Sequence, residues 1–334
     1  MPTITDVAKL AEVAPITVSR VINDSGYVSD LTRKKVEEAI TELGYIPNKL
    51  ASGLRSKRTN TLALVVTDIA NPFFTLIARG VEDVASDSGY TVIYCNTDES
   101  EQKEINYSNI LAQQQVDGVL LVPACSSSKS VKFLDQNNIP VVLIDRSVPE
   151  IEKDIVKCDS KEGAYKLVKL IIELGHSNIA SITGPKGVST SEDRVAGYRR
   201  AMNEAGLESF VNIYYGAFTQ ASGYELANQA LTLEPQPTAL FGANNFLSIG
   251  ILKALRDAGK RVPEEIAVVG FDDLPISMMV DPFLTVASQP AYEMGKQATE
   301  LLLSRLLGEA PQEIQRVILQ TEIIERQSSG SSLG

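Results

Sequence analysis

From residue 61 onward the chain alternates short, unbroken aliphatic runs with helix-like stretches of ten to sixteen residues, and few folds accept that pattern. The runs are LALVV (62–66), TVIYC (91–95), GVLLV (118–122), VVLI (141–144), NIASI (178–182), NIYY (212–215), TALF (238–241) and IAVVG (266–270). A strand with one face in water alternates apolar and polar residues. Continuous Val/Ile/Leu runs separated by helices instead predict parallel sheets covered by helices on both faces. There are too many such runs for one comfortable open sheet. The expectation is two doubly wound subdomains, with a ligand in the crevice outside the carboxyl ends of the strands.

The first 46 residues follow another rule. Asp6 to Glu12 reads as a short helix with Val7, Ala8 and Ala11 on one face, and Pro15 to Asn23 as a second. Proline suits a first helical turn, because the N–H it lacks has no partner there. Val18, Val21 and Ile22 can then face inward while Ile16, Thr17 and Arg20 face out. A third helix spans Leu31 to Leu43, with Val36, Ile40 and Leu43 at helical spacing and Gly44 as its stop. Two short helices at the spacing of residues 3–23 form a helix-turn-helix, whose second helix offers side chains to base edges in the major groove.

Charge divides along the same line. Residues 1–60 hold nine Lys/Arg and seven Asp/Glu, net +2, whereas the remainder holds 22 against 35, net −13. The stretch 48–58 (NKLASGLRSKR) carries four positive charges and no acid. A polyanion can dock at the front end and is repelled by the body. Other classes recede. The chain has 44 % hydrophobic and 22 % charged residues, which excludes a mostly disordered protein. No apolar run approaches the roughly 18 residues of a spanning helix, and MPTITDVAKLAEVA does not read as a secretory signal. Cys95, Cys125 and Cys158 are odd in number and far apart, which argues against a disulfide framework or a cysteine zinc site. The one histidine, His176, leaves little for metal or triad chemistry and reads as a structural residue. No cofactor is expected, and the cytoplasm is the expected location.

The wording of residues 3–23, TITDVAKLAEVAPITVSRVIN, closely resembles the lactose- and purine-repressor (LacI/GalR) family through Asp6, Val7, Ala8, Ala11, Val13, Thr17, Val18, Ser19, Arg20, Val21 and Asn23. The resemblance continues through GYVSDLTRKKVEEAITELGYIPNKLASGLRSKRT (26–59) and across the body. It implies an N-terminal helix-turn-helix DNA-binding domain plus a periplasmic-binding-protein-like core of two doubly wound parallel-sheet subdomains. The implied boundaries are a headpiece over 1–47, a hinge helix and linker over 48–60, a core over 61–326 and a flexible tail over 327–334. Within the core, an N-subdomain would take about 61–160 and 290–319, and a C-subdomain about 161–289 and 320–326. The implied function is a non-enzymatic, sequence-specific regulator, a repressor by family default. It would bind a pseudo-palindromic double-stranded operator as a homodimer and answer to a small-molecule effector.

By the same resemblance, Thr5, Pro15, Ile16, Thr17, Ser19, Arg20, Asn23 and Tyr27 meet DNA. Pro15, Ile16 and Arg20 would face base edges, where Arg can pair with guanine. Thr17, Ser19, Asn23 and Tyr27 would hold phosphates. Ala51, Leu54 and Arg55 belong to the implied hinge helix, with Leu54 as the wedge that unstacks a minor-groove step. Two positions depart from the family. Glu12 stands in the turn where Gly or Asn is usual, and Ala14 stands where Ser usually caps the reading helix.

The implied effector residues sit at strand ends or in the loops that follow. They are Asn71, Phe73 and Phe74 (NPFF), Asp145 and Arg146, Thr190 and Arg194, Phe218, Asn244 and Asn245, Asp272 and Gln289. Their chemistry suits a sugar. Hydroxyls need donors and acceptors, which Asp145, Asp272, Arg194, Asn244 and Gln289 supply, and a C–H face packs on Phe74 and Phe218. A nucleobase, also stacked by phenylalanines, is the second ligand class. Cys158 before Asp159 departs from the family's usual Asp-Asn. Two other functions fit the body: a solute-binding protein for transport, against which residues 1–60 argue, and an α/β enzyme. The chain contains no G-x-G-x-x-G or P-loop motif to support the latter. Leu54→Ala is expected to leave fold and effector binding intact but to weaken operator affinity tenfold or more, on the order of 1.4 kcal/mol. Fluorescence anisotropy on labelled duplex measures it, and unchanged affinity removes the hinge assignment.

Overall fold

The computed structural model describes residues 2–46, 58–274 and 282–330. The chain divides into two compact units, Met1–Thr59 and Asn60–Gly334.

The first unit is built from α1 (Ile4–Leu10), α2 (Pro15–Ile22) and α3 (Asp30–Leu43). α1 starts two residues earlier than its apolar pattern predicts. The reason is a capping box: the Thr3 hydroxyl accepts the Asp6 N–H while the Asp6 carboxylate accepts the Thr3 N–H at 2.8 Å. α3 likewise begins at Asp30, because Ser29 accepts the Thr32 N–H, and it ends on Gly44 in the left-handed region at φ +58°. Val7, Ala8, Ala11, Val18, Val21, Val36 and Ala39 form the core. Valine is its largest member, so little apolar area opposes the entropy of ordering this unit. The two departures noted above both act against it. Glu12 sits at φ +56°, where a Cβ is unfavourable, and Ala14 caps α2 with no side-chain hydrogen bond.

The second unit runs β1 (Thr61–Val66), α4 (Pro72–Asp87), β2 (Thr91–Asn96), α5 (Glu101–Gln113), β3 (Gly118–Leu121), α6 (Lys129–Gln136), β4 (Val141–Ile144) and β5 (Asp154–Cys158). It continues with α7 (Ser160–Glu173), β6 (Ile179–Thr183), α8 (Ser189–Glu204), β7 (Asn212–Tyr215), α9 (Gln220–Ala230), β8 (Ala239–Gly242), α10 (Asn245–Asp257), β9 (Ala267–Phe271) and β10 (Thr285–Ser288). α11 (Ala291–Leu307), β11 (Arg316–Leu319) and β12 (Glu322–Ile324) complete it. The strands form two sheets, ordered β2-β1-β3-β4-β5-β11 and β7-β6-β8-β9-β10-β12. The first five strands of each follow one scheme, so each sheet reverses direction between its first and third strands. All pairings are parallel except β10 with β12.

The apolar runs account for eight of these strands. The other four lack an aliphatic run: Asp154 and Lys157 interrupt β5, Thr285 and Ser288 bracket β10, and β11 and β12 lie at sheet edges with partly exposed side chains. The chain passes between sheets three times. α7 follows β5 but packs its Ala164, Leu167, Val168 and Ile171 into the core of the second sheet. α11 follows β10 but returns Met294, Ala298 and Leu302 to the core of the first. β11 and β12, two residues apart, then join opposite sheets. The C-terminal segment corrects an expectation. Gln327–Ser329 is not a free tail but a docked 3-10 turn, with Ser328 and Ser329 buried. Ser328 Oγ donates to Val268 O at 2.6 Å and accepts the Thr285 N–H at 2.8 Å. A polar composition looks solvent-bound in sequence, but small hydroxyls can complete the edge hydrogen bonds of buried strands.

Glu12→Gly and Ala14→Ser are each expected to stabilise the Met1–Thr59 unit by about 1 kcal/mol, the first by relieving the left-handed backbone and the second by capping α2. Differential scanning calorimetry of the full chain should show the lower transition moving up. An unmoved transition means that neither position limits this unit.

Candidate functional site

In the first unit, α2 presents one face to solvent. Pro15, Ile16 and Arg20 lie on it, with Ile16 46 % exposed, while Val18 and Val21 turn into the core. Thr5, Asn23 and Tyr27 are also exposed, and Thr17 and Ser19 are half-buried. The Asn23 amide donates to Ser19 O at 2.8 Å and to Ser19 Oγ at 3.2 Å, which ties these two groups together. An exposed isoleucine beside an arginine on a reading helix offers apolar and hydrogen-bonding contacts to base edges. Ala51, Leu54 and Arg55 lie outside the described residues.

In the second unit the carboxyl ends of both sheets line one cleft. Asp68 follows β1, Glu99 follows β2, and Asp145 and Arg146 follow β4; Asn71, Phe73 and Phe74 open α4. From the second sheet come Thr190 and Arg194 on α8, Phe218 after β7, Asn244 before α10 and Asp272 after β9. Asp145 and Asp272 are counterparts. Both sit in the left-handed region, at φ +64° and +65°, and each N–H donates at 2.9 Å to the next strand, to Val156 O and Ala287 O. Aspartate tolerates this backbone better than most residues, so its carboxyl group is delivered at the strand end.

The arginines are fixed. Arg146 makes a bidentate pair with Glu99 at 2.5 and 2.7 Å, donates to Pro123 O and lies 5.2 Å over the Phe218 ring. Arg194 donates to Ala243 O at 2.6 Å, stands 3.7 Å from Asp272 and covers the Phe271 ring at 3.9 Å. Gln289, after β10, donates to Asp272 Oδ1 at 2.6 Å and lines an adjoining cavity with Phe73, Leu76 and Ser288. Among the described residues nine buried side-chain polar atoms have no hydrogen-bond partner, and four of them gather here: Asp145 Oδ1, Arg146 Nε and Arg194 Nε on residues of the cleft lining, and Gln289 Oε1 on a residue of the adjoining cavity. Two accept and two donate. Buried polar groups are rarely left so, which marks the cleft as built for a polar guest. Burial pushes the Asp145 carboxyl up to about 6, opposed by Arg194 and Arg146 and reinforced by Asp272 and Glu99. Asp272 is raised for the same leading reason.

Most of the expected residues thus converge. Asn245 stands apart from the lining, because its amide is spent on Asn71. Phe73 and Phe74 meet edge to face, with ring centres 5.1 Å apart. Asp68 and Glu99 complete the lining without having been expected; both follow strand ends, as Asp145 does. Cys158 is buried with Sγ 3.6 Å from Met294 Sδ, and His176 is buried against Thr238 Oγ1 at 3.0 Å. Neither reaches the cleft.

A helix-turn-helix unit and a two-sheet binding core on one chain define a ligand-binding regulator of transcription. Residues 3–48 match the bacterial regulatory proteins of the lacI family, and residues 168–329 match the periplasmic binding protein-like domain. The ribose operon repressor of Halalkalibacterium halodurans is 39 % identical over 98 % of this chain and 97 % of its own length. The transcriptional repressor PurR of Aliivibrio salmonicida is 37 % identical over 92 % of both chains. Among solved structures, a complex of the transcriptional regulator CelR with cellobiose superposes with a TM-score of 0.74 at 37 % identity, covering 98 % of this chain and all of that one. The lac repressor dimer bound to operator and the anti-inducer ONPF gives 0.84 at 26 % identity, covering 98 % and 99 %. The chain belongs to the LacI family. It is a DNA-binding transcriptional regulator of the repressor type, not an enzyme. Among the described residues no helix is long and apolar enough to cross a membrane.

The Asp145 shift has a stability consequence. A carboxyl whose folded pKa, about 6, exceeds its unfolded value near 3.8 adds stability below pH 4 that is lost as pH rises through 6. Asp145→Asn is therefore expected to raise the core's thermal midpoint at pH 7, with a gain on the order of 3 kcal/mol, and to change it little at pH 4. An equal effect at both values rejects the buried-carboxylate account.

Proposed function

We propose that this protein represses transcription as a homodimer on a pseudo-palindromic operator, under the control of a neutral sugar held in the cleft. The observation that carries the reading is that three residues lining the cleft beside Phe74 and Phe218 hold buried atoms without a hydrogen-bond partner: Asp145 Oδ1, an acceptor, and Arg146 Nε and Arg194 Nε, both donors. A hydroxyl both donates and accepts, so a polyol matches a lining that offers both kinds of partner. Four carboxylates (Asp68, Glu99, Asp145, Asp272) line the cleft against two guanidiniums, which disfavours a phosphorylated or carboxylated ligand. The relatives narrow the choice. A ribose operon repressor is among them, and a similar LacI-family regulator from Enterococcus faecium was solved with bound ribose. D-ribose is accordingly the first effector to test.

In this reading Phe73, Phe74, Asp145, Arg146, Thr190, Arg194, Phe218, Asn244, Asp272 and Gln289 surround the sugar. Pro15, Ile16 and Arg20 read bases, Thr5, Thr17, Ser19, Asn23 and Tyr27 position the backbone, and Ala51, Leu54 and Arg55 act in the hinge. The domain boundaries are those implied by the family, with 327–330 reassigned from tail to core. The protein works in the cytoplasm. Self-association uses the edge of the first sheet, where Ile69, Leu76, Ile93 and Tyr94 are each more than a third exposed. Sugar binding and operator binding are then linked reciprocally, typically by 1–3 kcal/mol.

The test is an anisotropy titration of a palindrome library at two salt concentrations, with and without D-ribose. Selective binding to one palindrome that shifts with the sugar is expected. Arg194→Ala should abolish the shift and spare basal DNA binding. Weak, salt-sensitive binding to every duplex would remove operator specificity. A response to purine bases in place of sugars would transfer the cleft to the nucleobase class, which the same stacking phenylalanines also suit.

A further inference from the structure

Asn71 and Asn245 were both expected among the effector contacts; Asn71 lines the cleft, Asn245 does not, and the structure joins the two. Asn71 caps α4 beside the first sheet, and Asn245 is the first residue of α10 beside the second. Their amides form a reciprocal pair: Asn71 Nδ2 donates to Asn245 Oδ1 at 3.0 Å, and Asn245 Nδ2 donates to Asn71 Oδ1 at 2.8 Å. Both residues are buried, at 5 % and 1 % exposure. Each amide oxygen is also held from behind by its own helix. Asn71 Oδ1 accepts the Phe73 N–H at 3.0 Å, and Asn245 Oδ1 accepts the Phe246 N–H at 2.7 Å. The oxygens are thus aimed before they meet, which lowers the entropy lost in pairing.

Three further contacts cross between the same halves. The Ser147 N–H donates to Ser189 Oγ at 2.9 Å, Lys157 pairs with Asp193 at 3.1 Å, and Arg146 lies over Phe218. Lys157 and Asp193 are a quarter to a third exposed, so that pair is screened and weak. The amide pair is the buried one, and opening the halves leaves its two amide NH2 groups without a partner until they find water.

We infer that Asn71, in the cleft lining, and Asn245, behind it, are positioning residues that clasp the two halves shut and through that closure set effector affinity. Closure and binding are then one equilibrium. A ligand that needs the closed arrangement binds more weakly in proportion to the fraction closed. The inference rests on the cleft reading for its affinity arm alone.

The experiment uses the full chain and two variants. Asn71→Ser keeps the cap of α4 but is too short to span the gap, and Asn245→Ala leaves α10 a good helix former in its first turn. Hydrogen–deuterium exchange reads the peptide containing Ser147, whose N–H bonds across the cleft. D-ribose binding is measured by calorimetry. In both variants the Ser147 peptide is expected to exchange about tenfold faster, with strand cores unchanged, and D-ribose affinity to fall by about the same factor. The double variant should be no worse than either single one. Unchanged Ser147 exchange in both variants overturns the clasp, whatever happens to affinity. Faster exchange in variants of a protein that binds no D-ribose at all upholds the clasp and overturns D-ribose as the effector.

Discussion

A parallel sheet buried on both faces leaves a chain few places to put polarity. Side chains along the strands must be apolar, and the connecting helices cover them. Only the strand ends are open, and the family of loops at the carboxyl ends is the set that a doubly wound order gathers at a crevice. Here two sheets with the same order, β2-β1-β3-β4-β5 and β7-β6-β8-β9-β10, turn those ends toward one cleft. The equivalence reaches single residues. Asp145 and Asp272 end β4 and β9 with the same backbone twist and the same N–H bond to the next strand. The cleft follows from the sheets, and its two opposed carboxylates follow from the repeat.

Burying charge there has a cost that the lining meets by pairing. Arg146 is neutralised by Glu99 in a fork-to-fork pair. Arg194, Asp272 and Gln289 form a chain in which each member restrains the next. Asp145 is the least compensated, which is why its carboxyl is pushed to about 6 while the arginines pull it down. A group left so is the natural acceptor for an incoming hydroxyl, since a new hydrogen bond relieves a penalty already present in the free protein. The same imbalance turns an anion away. On the proposed sugar reading, selectivity for neutral ligands is a property of what the arginines already hold, not of an added steric feature.

Much of this was legible in the sequence, for physical reasons that differ residue by residue. Aliphatic runs mark the inner strands because burial on both faces permits nothing else; Asp145, Asn244 and Asp272 came from the family resemblance, and they lie just beyond such runs. Asp68 and Glu99 also lie beyond such runs but read as loop acids, since "TD" and "TDES" are equally good turn and cap signals. β11 and β12 were hidden because edge strands lack the aliphatic signature. Ser328 was hidden because a buried hydroxyl and a solvated one are spelled alike. Asn71 and Asn245 could not be read as partners, because 174 residues separate them and only the facing of two helix starts brings them together.

The headpiece poses the opposite problem: too little core, not too much buried polarity. Its seven core residues are all valine or alanine, and two of its local signals, Glu12 and Ala14, point against the fold they sit in. Such conflicts lower stability more surely than they lower DNA affinity. While most of the unit is folded, a loss of 1–2 kcal/mol changes the binding-competent fraction little; once the unit is mostly unfolded, each further 1.4 kcal/mol costs about tenfold in affinity. DNA adds stability of its own, because a ligand that binds only the folded form favours it by mass action. A marginal reading unit is therefore most ordered where it is needed. Its affinity responds to anything that shifts its folding, temperature included.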